Sequence, residues 1–317
     1  MNATVERPKE LTEMVGQTEV IDRLRIAYKG AEARGVTPPH TLLSGPAGHG
    51  KTTLAQIVAA ELGATLVKTT GPALRRSGDL AGLLASVKAN TVLFIDEIHR
   101  LPSMVEETLY EVLEDGTLSV VVGAGQAAKA ITLRFPPVIV IGATTKPGSL
   151  STPMRDRFGL HLTVKPYSDA ELALIVRRCW DAAGADYSEG APEVVAGRSK
   201  GVPRLALHLA SRTQDVAALD QEPITPALAE RALEAFGVGK GGLDEIDRRI
   251  IEALCTTFAG RPVGLANLSQ ALDLDPQTIE SEHEGPLVRC GMMVRTPQGR
   301  LATELAHEWH DLNGRTA

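Results

Sequence analysis

The stretch Gly45-Pro46-Ala47-Gly48-His49-Gly50-Lys51-Thr52 decides the fold of this 317-residue chain. It has the G-x-x-x-x-G-K-T pattern of a phosphate-binding P-loop, in which backbone N–H groups and a helix N-terminus face one anion. The apolar run before it, Thr41–Ser44, predicts a buried strand, and the run from Thr53 to Leu62 has helical spacing. This context argues against a chance glycine-rich turn. Lys51 is expected to reach the outer phosphates of a nucleotide and Thr52 to hold Mg²⁺. The predicted nucleotide-binding residues here are Gly45, Gly48, Gly50, Lys51, Thr52 and Thr53.

Length and composition bound the class of protein. The length suggests roughly two or three domains, and the 3% aromatic content argues against base-stacking platforms for single strands. Cys179, Cys255 and Cys290 form no C-x-x-C pair, which argues against a disulfide framework or a zinc site and fits a reducing cytosol. Met1–Leu11 is polar and no apolar run could span a bilayer, so we expect a soluble, cytoplasmic protein without membrane contact. The net charge of −6 leaves no overall basic footprint, so any DNA contact must use a local patch.

A second apolar run ends in two acids. Val92–Ile95 is followed by Asp96-Glu97, which is typical of a Walker B strand whose carboxyl end delivers acids to the ligand edge of a parallel sheet. Asp96 is expected to hold Mg²⁺, and Glu97 to orient or deprotonate the attacking water. The alternative is an acidic helix start. About 45 residues separate Lys51 from Asp96, enough for one helix and one further strand, and this spacing favours Walker B.

A third apolar run, Val138–Ile141, precedes Gly142-Ala143-Thr144-Thr145. A strand that ends in hydroxyl residues could place one near the terminal phosphate, which resembles sensor 1 of the AAA+ ATPases. The sequence does not choose between Thr144 and Thr145; Thr145 is our catalytic candidate. A strand end with a threonine turn is the alternative.

Two sets of arginines follow. Arg155 and Arg157 lie in the run PMRDRFG, where an arginine supplied to a neighbouring subunit could stabilise charge on the transferring phosphoryl group. A surface ion pair is the alternative, and spacing alone does not pick the finger. Arg204 follows Pro203 at a predicted helix start, where the helix dipole disfavours a cation and an anion such as ATP phosphate would suit it. A local acidic partner is the alternative.

Together these motifs resemble the RuvB family of Holliday junction branch-migration ATPases, which belong to the AAA+ class. The resemblance runs in order from about residue 5 to about residue 310. It rests on RPK (7–9), GQ (16–17), GPAGHGKTTLA (45–55), TGP (70–72), FIDEIHRL (94–101), GATT (142–145), PMRDRFG (153–159), GVPRLA (201–206), GLD (242–244), GRPVGL (260–265) and RTPQGRLAT (295–303).

The resemblance implies an α/β fold with three domains: a large AAA+ P-loop ATPase domain, a small helical lid and a C-terminal winged-helix domain. We place them at residues 1–166, 167–238 and 239–317. The sequence agrees, since strand patterns end near Val164, helical spacing runs from Tyr167 to Phe236, and a Gly-rich segment covers 237–242. Residues 292–302 read as a hairpin through Pro297-Gln298-Gly299, which would be the wing.

The resemblance also assigns roles to matching positions. Arg157 matches the arginine finger and Arg204 matches sensor 2, while Val15 and Tyr167 fall where the family cradles adenine. The implied cofactors are ATP and Mg²⁺. The role of His99-Arg100, after Walker B, stays open.

A predicted hairpin at 118–133 implies a partner. Two β runs are joined by a Gly-rich loop, and in the family this hairpin docks on RuvA, the junction-binding protein; a purely structural hairpin is the alternative. The chain departs from the usual family pattern at Ala47 and His49, which supply no required phosphate contact, at Gln126 in the hairpin loop, and at Gln298 in the wing. Gln298 replaces a usual basic residue and should weaken DNA binding modestly.

The predicted winged-helix domain is acidic. Residues 239–317 hold 8 Lys+Arg and 12 Asp+Glu, a net charge of 8 − 12 = −4. DNA binding would therefore need Arg289, Arg295 and Arg300 to form a concentrated patch that several subunits present together.

The function implied is an ATP-driven motor that moves duplex DNA at four-way junctions, as a homo-oligomeric ring that in the family is a hexamer. DNA contacts would be to phosphate and not sequence-specific. The alternative is an AAA+ ATPase that remodels a protein partner, with the winged helix as a binding module; loss of DNA-stimulated ATPase would favour it. A DExH helicase, suggested by Asp96-Glu97-Ile98-His99, is discounted because the chain lacks strands for a second RecA-like domain.

Overall fold

The structure is a computed structural model that describes residues 8–122 and 129–313. It divides into two compact units, one ending at Tyr167 and the other beginning at Ser168. Within those described ranges, no helix combines the length and apolar character needed to cross a lipid bilayer.

The first unit is built on a five-stranded parallel sheet, which confirms the predicted α/β class. The strand order is β2-β3-β6-β1-β7. The P-loop, Walker B and sensor 1 strands predicted from sequence are all present as β1, β3 and β6. The strands are β1 Thr41–Ser44, β2 Thr65–Thr70, β3 Thr91–Asp96, β6 Val138–Thr144 and β7 Leu160–Thr163.

Helices cover both faces of this sheet. The segment between the P-loop and the Walker B strand holds helix α2, strand β2 and a second helix, α3. It therefore holds one helix more than the helix and strand considered from the sequence spacing. Leu80 and Leu84 on α3 are fully buried against one face, while Leu54 and Ile57 on α2 are buried against the other. The helices are α1 Thr18–Ala33, α2 Lys51–Glu61, α3 Ser77–Ala85, α4 Ser103–Asp115 and α5 Thr152–Asp156.

Every strand of the sheet ends in a polar residue. Register pairs Ser44 with both Thr144 and Thr163, and Thr70 with Asp96. Because the carboxyl ends of parallel strands meet at one edge, these residues lie along the edge at which open α/β sheets bind ligands.

A separate antiparallel pair follows α4. Strands β4 (Thr117–Val122) and β5 (Lys129–Arg134) pair with Thr117 opposite Arg134, which confirms the predicted strands of the 118–133 hairpin. The connecting residues 123–128, including Gln126, lie outside the described residues.

The described part of the second unit, residues 168–313, consists mainly of helices and holds one hairpin. Its first helix begins with a capping box, in which the Ser168 hydroxyl accepts from Glu171 N–H and the Glu171 carboxylate accepts from Ser168 N–H. Strands β8 (Met293–Thr296) and β9 (Gly299–Ala302) pair antiparallel, as predicted for the wing. The helices are α6 Asp169–Ala183, α7 Ala191–Gly197, α8 Pro203–Asp220, α9 Pro226–Ala235, α10 Glu245–Glu252, α11 Leu265–Leu272, α12 Pro276–Thr278, α13 Glu284–Arg289 and α14 Glu304–Asn313.

Candidate functional site

The P-loop wraps around the ammonium group of Lys51. Gly45, Gly48 and Gly50 all have positive φ, a conformation that glycine adopts without steric cost. Lys51 is the first residue of α2, and its buried Nζ donates to the carbonyl oxygens of Gly45 at 2.7 Å and Pro46 at 2.9 Å. The loop therefore holds a cation at the N-terminus of a helix, ready for an anionic ligand. Thr52 and Thr53 follow in the first turn of α2, both half-buried.

Gly45 is required by close packing. A Cβ at this position would lie 2.5 Å from both the carbonyl oxygen and the Cγ2 of Val164, just beyond the end of β7. The start of the P-loop thus rests directly on the last sheet strand, and any larger residue would displace it.

The predicted adenine residues lie beside the loop. Tyr167 is buried, and its hydroxyl lies 3.5 Å from where a Cβ on Gly50 would stand. Met14, the neighbour of the predicted Val15, also reaches this point, with its Cε 3.3 Å from it. Val15 is half-buried next to it.

The reason for the early Gly16-Gln17 motif is visible nearby. The Gln17 side-chain amide donates to the carbonyl oxygen of Lys165 at 2.7 Å and accepts from its N–H at 3.0 Å. This paired contact joins the residues before α1 to the segment after β7, and so fixes Met14 and Tyr167 on the same side of the P-loop.

Asp96 and Glu97 lie where β3 ends. Asp96 Oδ1 accepts from the N–H of Glu97 at 3.0 Å. Glu97 has a left-handed backbone, with φ +50° and ψ +45°, which is uncommon outside glycine. Gly71 explains how this turn fits, since a Cβ on Gly71 would overlap the carbonyl oxygen of Glu97.

The structure separates the two threonines at the end of β6. Thr145 Oγ1 donates to Glu97 Oε2 at 3.2 Å. Thr144 is fully buried and its hydroxyl lies 2.9 Å from His99 Nδ1 instead, while accepting from Lys146 N–H at 3.0 Å. Thr145 is thus the threonine that touches the predicted hydrolytic carboxylate.

His99 completes this group, and sequence reasoning gave it no role. Its Nε2 lies 3.4 Å from Glu97 Oε2, and its side chain is only 10% exposed. Burial lowers the pKa of His99, and the neighbouring Glu97 carboxylate offsets part of that effect. The position of His99, two residues after Glu97, is the one sequence feature that places it near the carboxylate. No sequence pattern indicates its contact with Thr144.

Arg157 is held by its own chain. Its Nη2 lies 3.0 Å from Glu114 Oε1, its Nη1 donates to the carbonyl oxygen of Pro153 at 2.8 Å, and its guanidinium carbon lies 4.3 Å from the centre of the Tyr110 ring. Tyr110 and Glu114 are one helical turn apart on α4, so one face of that helix supports the arginine. Arg155 lies nearby and is half-buried, with Nη2 3.2 Å from Thr152 Oγ1.

Arg204 is exposed in the first turn of α8, in the second unit. Pro203 opens that helix as predicted.

The three arginines proposed for DNA differ sharply in the second unit. Arg300 makes a bidentate pair with the fully buried Glu284, with Nε to Oε1 at 3.1 Å and Nη2 to Oε2 at 2.9 Å. Arg295 also pairs with Glu284, yet its side chain is 59% exposed against 18% for Arg300. Arg289 donates to the carbonyl oxygen of Lys200 at 3.1 Å. Glu284 therefore neutralises part of this patch, while Arg289 and Arg295 both remain exposed.

A second buried polar cluster lies in the same unit. Ligand-type atoms of Asp244, Asp247 and His283 lie within 4.8 Å of one another, a spacing that a metal ion could use. Lys200 Nζ contacts both carboxylates, at 2.7 Å for Asp244 Oδ2, and His283 Nδ1 lies 2.8 Å from Asp247 Oδ1. Because an ammonium group already compensates the charge, this is an ion network that joins the segment after α7 to α10.

Comparison with known proteins covers nearly all of the chain. Residues 6–164 match the model described as the Holliday junction DNA helicase RuvB P-loop domain, residues 167–239 the RuvB AAA lid domain, and residues 240–310 the RuvB C-terminal winged helix domain.

A Holliday junction branch migration complex subunit RuvB from Cutibacterium acnes is 44% identical over 96% of this chain and 89% of its own length. One from Saccharopolyspora erythraea is 46% identical over 98% of this chain and 87% of its own. A solved Thermotoga maritima RuvB Holliday junction branch migration motor superposes with a TM-score of 0.87 at 38% identity, over 96% of this chain and 98% of that one.

Proposed function

This chain belongs to the RuvB family of P-loop ATPases, and from that premise we propose how its own residues bind ATP, hydrolyse it and drive branch migration at Holliday junctions. The observation that carries the catalytic part is the hydrogen bond of 3.2 Å from Thr145 to Glu97 at the edge where β3 and β6 end. It joins the acid and the sensor beside the P-loop strand in one crevice.

Nucleotide binding is the first step. Lys51 exchanges its contacts with the carbonyl oxygens of Gly45 and Pro46 for the outer phosphates of ATP, and the N–H groups at the start of α2 add to the positive end of the helix dipole. Met14, Val15 and Tyr167 supply apolar contact for the base beside Gly50.

Thr52 and Asp96 would hold Mg²⁺. Both offer oxygen ligands, which suit this hard cation, and both lie at the phosphate edge of the sheet. When bound, the ion would neutralise charge on the phosphates during transfer.

Glu97 orients and deprotonates the attacking water. Its carboxylate accepts from Thr145 through Oε2, which leaves the other oxygen as an acceptor for the water proton. Thr145 thereby links the state of the terminal phosphate to the base.

Arg157 acts on the site of the next chain in a ring. Glu114 and Tyr110 on α4 hold its guanidinium, so to reach a neighbour's phosphate Arg157 would exchange these contacts for the new one. Arg204 from the lid would sense the bound phosphates. A ring of this kind uses heterologous contacts, and we propose a hexamer.

The remaining partners follow the family. Strands β4 and β5 would dock the junction-binding RuvA, and the winged helix would contact DNA phosphates through the exposed Arg289 and Arg295, with Arg300, which Glu284 holds, as the weaker member of the patch. We retain domain limits of 1–166, 167–238 and 239–317 as part of this proposal.

The test is the ATPase rate with and without four-way junction DNA and a RuvA partner, for the unmodified chain and Glu97→Gln. Glu32→Gln, exposed on α1, is the matched control. Junction-stimulated turnover that is lost only in Glu97→Gln supports the motor. Turnover unaffected by DNA, even with the partner present, would favour the protein-remodelling alternative, to which the pairing of Arg295 and Arg300 with Glu284 already lends some weight.

A further inference from the structure

His99 is a buried side chain at the centre of the hydrolytic group that the reaction described above does not use. It lies in the single turn Ile98–Arg100 that follows Walker B, with 10% of its side chain exposed. It contacts Glu97 through Nε2 and Thr144 through Nδ1. Two segments that sequence separates by 45 positions, the end of β3 and the end of β6, therefore meet at one imidazole.

Hydrogen-bond accounting fixes how this imidazole is used. An ionised carboxylate only accepts, so Nε2 must carry the proton directed at Glu97 Oε2. Nδ1 then accepts from the Thr144 hydroxyl, whose oxygen in turn accepts from the N–H of Lys146 at 3.0 Å. In the neutral ring the hydrogen bonds run from the N–H of Lys146 through the Thr144 hydroxyl to Nδ1, and Nε2 then lies 3.4 Å from the Glu97 carboxylate.

The backbone of Glu97 leaves little other freedom. Its left-handed turn is closed by the bond from Arg100 N–H to Glu97 O at 2.9 Å, and Gly71 packs directly against that carbonyl group. Only the side-chain torsions of Glu97 remain to be set. Two side chains lie against the same oxygen, Oε2: Thr145 donates a hydrogen bond to it, and His99 Nε2 lies 3.4 Å from it.

We propose that His99 is a positioning residue for ATP hydrolysis: with Thr145 it holds Oε2 of Glu97, so that the other oxygen faces the attacking water. This rests on the proposed role of Glu97 as the general base. The adjacent threonines then have different duties, since Thr145 binds the carboxylate directly and Thr144 acts on it through the imidazole. The separation of 3.4 Å between His99 Nε2 and Glu97 Oε2 is long for a hydrogen bond, and we expect this contact to shorten during catalysis.

The test replaces each ring nitrogen separately. A glutamine amide nitrogen can occupy the position of Nε2 and an asparagine amide nitrogen that of Nδ1, so His99→Gln keeps the donor to Glu97 whereas His99→Asn keeps only the link to Thr144. We expect His99→Gln to keep kcat within about threefold, and His99→Asn and His99→Ala to lose about 10- to 100-fold in kcat with KM for ATP within about twofold, because a misplaced base impairs the chemical step and not binding. His208→Gln, exposed on α8, is the matched control.

Two further measurements keep the outcome interpretable. ATP affinity, measured directly by titration, should be unchanged in every variant, which shows that the P-loop unit is folded. Thr144→Val should lower kcat in the unmodified chain and add nothing to His99→Ala, because both act through one pathway. If His99→Ala retains kcat within twofold, or if asparagine restores turnover as well as glutamine does, the inference is wrong. If Glu97→Gln itself retains turnover, the proposed base fails first, so the two failures are distinguishable.

Discussion

Replacing Lys200 with methionine should destabilise the second compact unit by about 3 kcal/mol. The ammonium group contacts Asp244 and Asp247, and Asp247 is fully buried. Removing one partner of a buried ion pair leaves an uncompensated charge, which costs about 3–5 kcal/mol. The low end applies here because His283 and the N–H of Asp244 still donate to Asp247.

The pH dependence has a definite sign. Burial raises the pKa of Asp247, but the hydrogen bond from His283 and the charge of Lys200 outweigh it, so the net pKa lies below the ordinary aspartate value. Burial lowers the pKa of Lys200, but the two carboxylates outweigh it and raise the net value. The stabilisation is therefore complete between about pH 3.9 and about pH 10.4, the ordinary values. It fades as the pH falls from the ordinary aspartate value through the lowered pKa of Asp247, or rises from the ordinary lysine value through the raised pKa of Lys200. The gap between the unmodified chain and Lys200→Met should stay constant across neutral pH.

Intrinsic fluorescence can follow this unit alone, since the chain has 2 tryptophans, Trp180 and Trp309, and both lie within it. With a urea m-value of about 2 kcal/mol/M, a loss of 3 kcal/mol lowers the midpoint by about 1.5 M. Arg231→Met is the matched control, because its ion pairs are exposed and worth no more than about 1 kcal/mol. A midpoint shift for Lys200→Met no larger than that of the control would refute the reasoning.

Three other outcomes are expected. Chains carrying Arg157→Ala should lose at least about 10³-fold in ATPase rate as a ring, and mixing them with Lys51→Ala chains should restore part of it, because Arg157 of a Lys51→Ala chain can complete the intact P-loop site of an Arg157→Ala chain; no recovery in mixed assemblies would argue against a shared site. Arg295→Gln should lower the salt slope of DNA binding by about 1 and cost less stability than Arg300→Gln, because Arg300 holds both oxygens of the buried Glu284 carboxylate and Arg295 contacts one. Arg300→Gln should cost about 3 kcal/mol by leaving that carboxylate incompletely paired; titrations at several salt concentrations and urea melts separate the two effects. Gly71→Ala should displace the main chain of the hydrolytic turn and lower kcat more than it raises KM; an unchanged kcat would contradict the packing argument.

The strands and helix around the P-loop could be predicted from sequence because each is marked by a short contiguous pattern. Strand β1, the glycine loop and α2 are contiguous in sequence. Strands β3 and β6 are each recognisable as an apolar run that ends in polar residues. The sequence could not decide which of Thr144 and Thr145 contacts Glu97. Successive residues at a strand end point to opposite sides, and the sequence does not show which side faces Glu97.

Long-range pairing was the part that sequence could not supply. The sequence suggested that three arginines near the wing form one basic patch. In the structure, two of them pair with Glu284 at the start of α13. A count of acidic residues includes Glu284 but does not show which arginines it contacts. Lys200 likewise lies in a left-handed turn far along the chain from the aspartates that it contacts. Such partners become neighbours only when separate helices pack.

Helix α4 has a different task at each of its ends. It starts just after the turn that carries His99, and near its other end Tyr110 and Glu114 hold Arg157. Its 13 residues span about 20 Å, so a tilt of about 5° at the first end moves the second by roughly 2 Å. In a ring of such chains, a movement of this rigid helix after hydrolysis at one site would displace Arg157 at the neighbouring site. The helix would in this way set the order in which the subunits hydrolyse ATP. A pair of glycines in the middle of α4 would then leave a single turnover intact while making the order random, which single-molecule stepping records could detect.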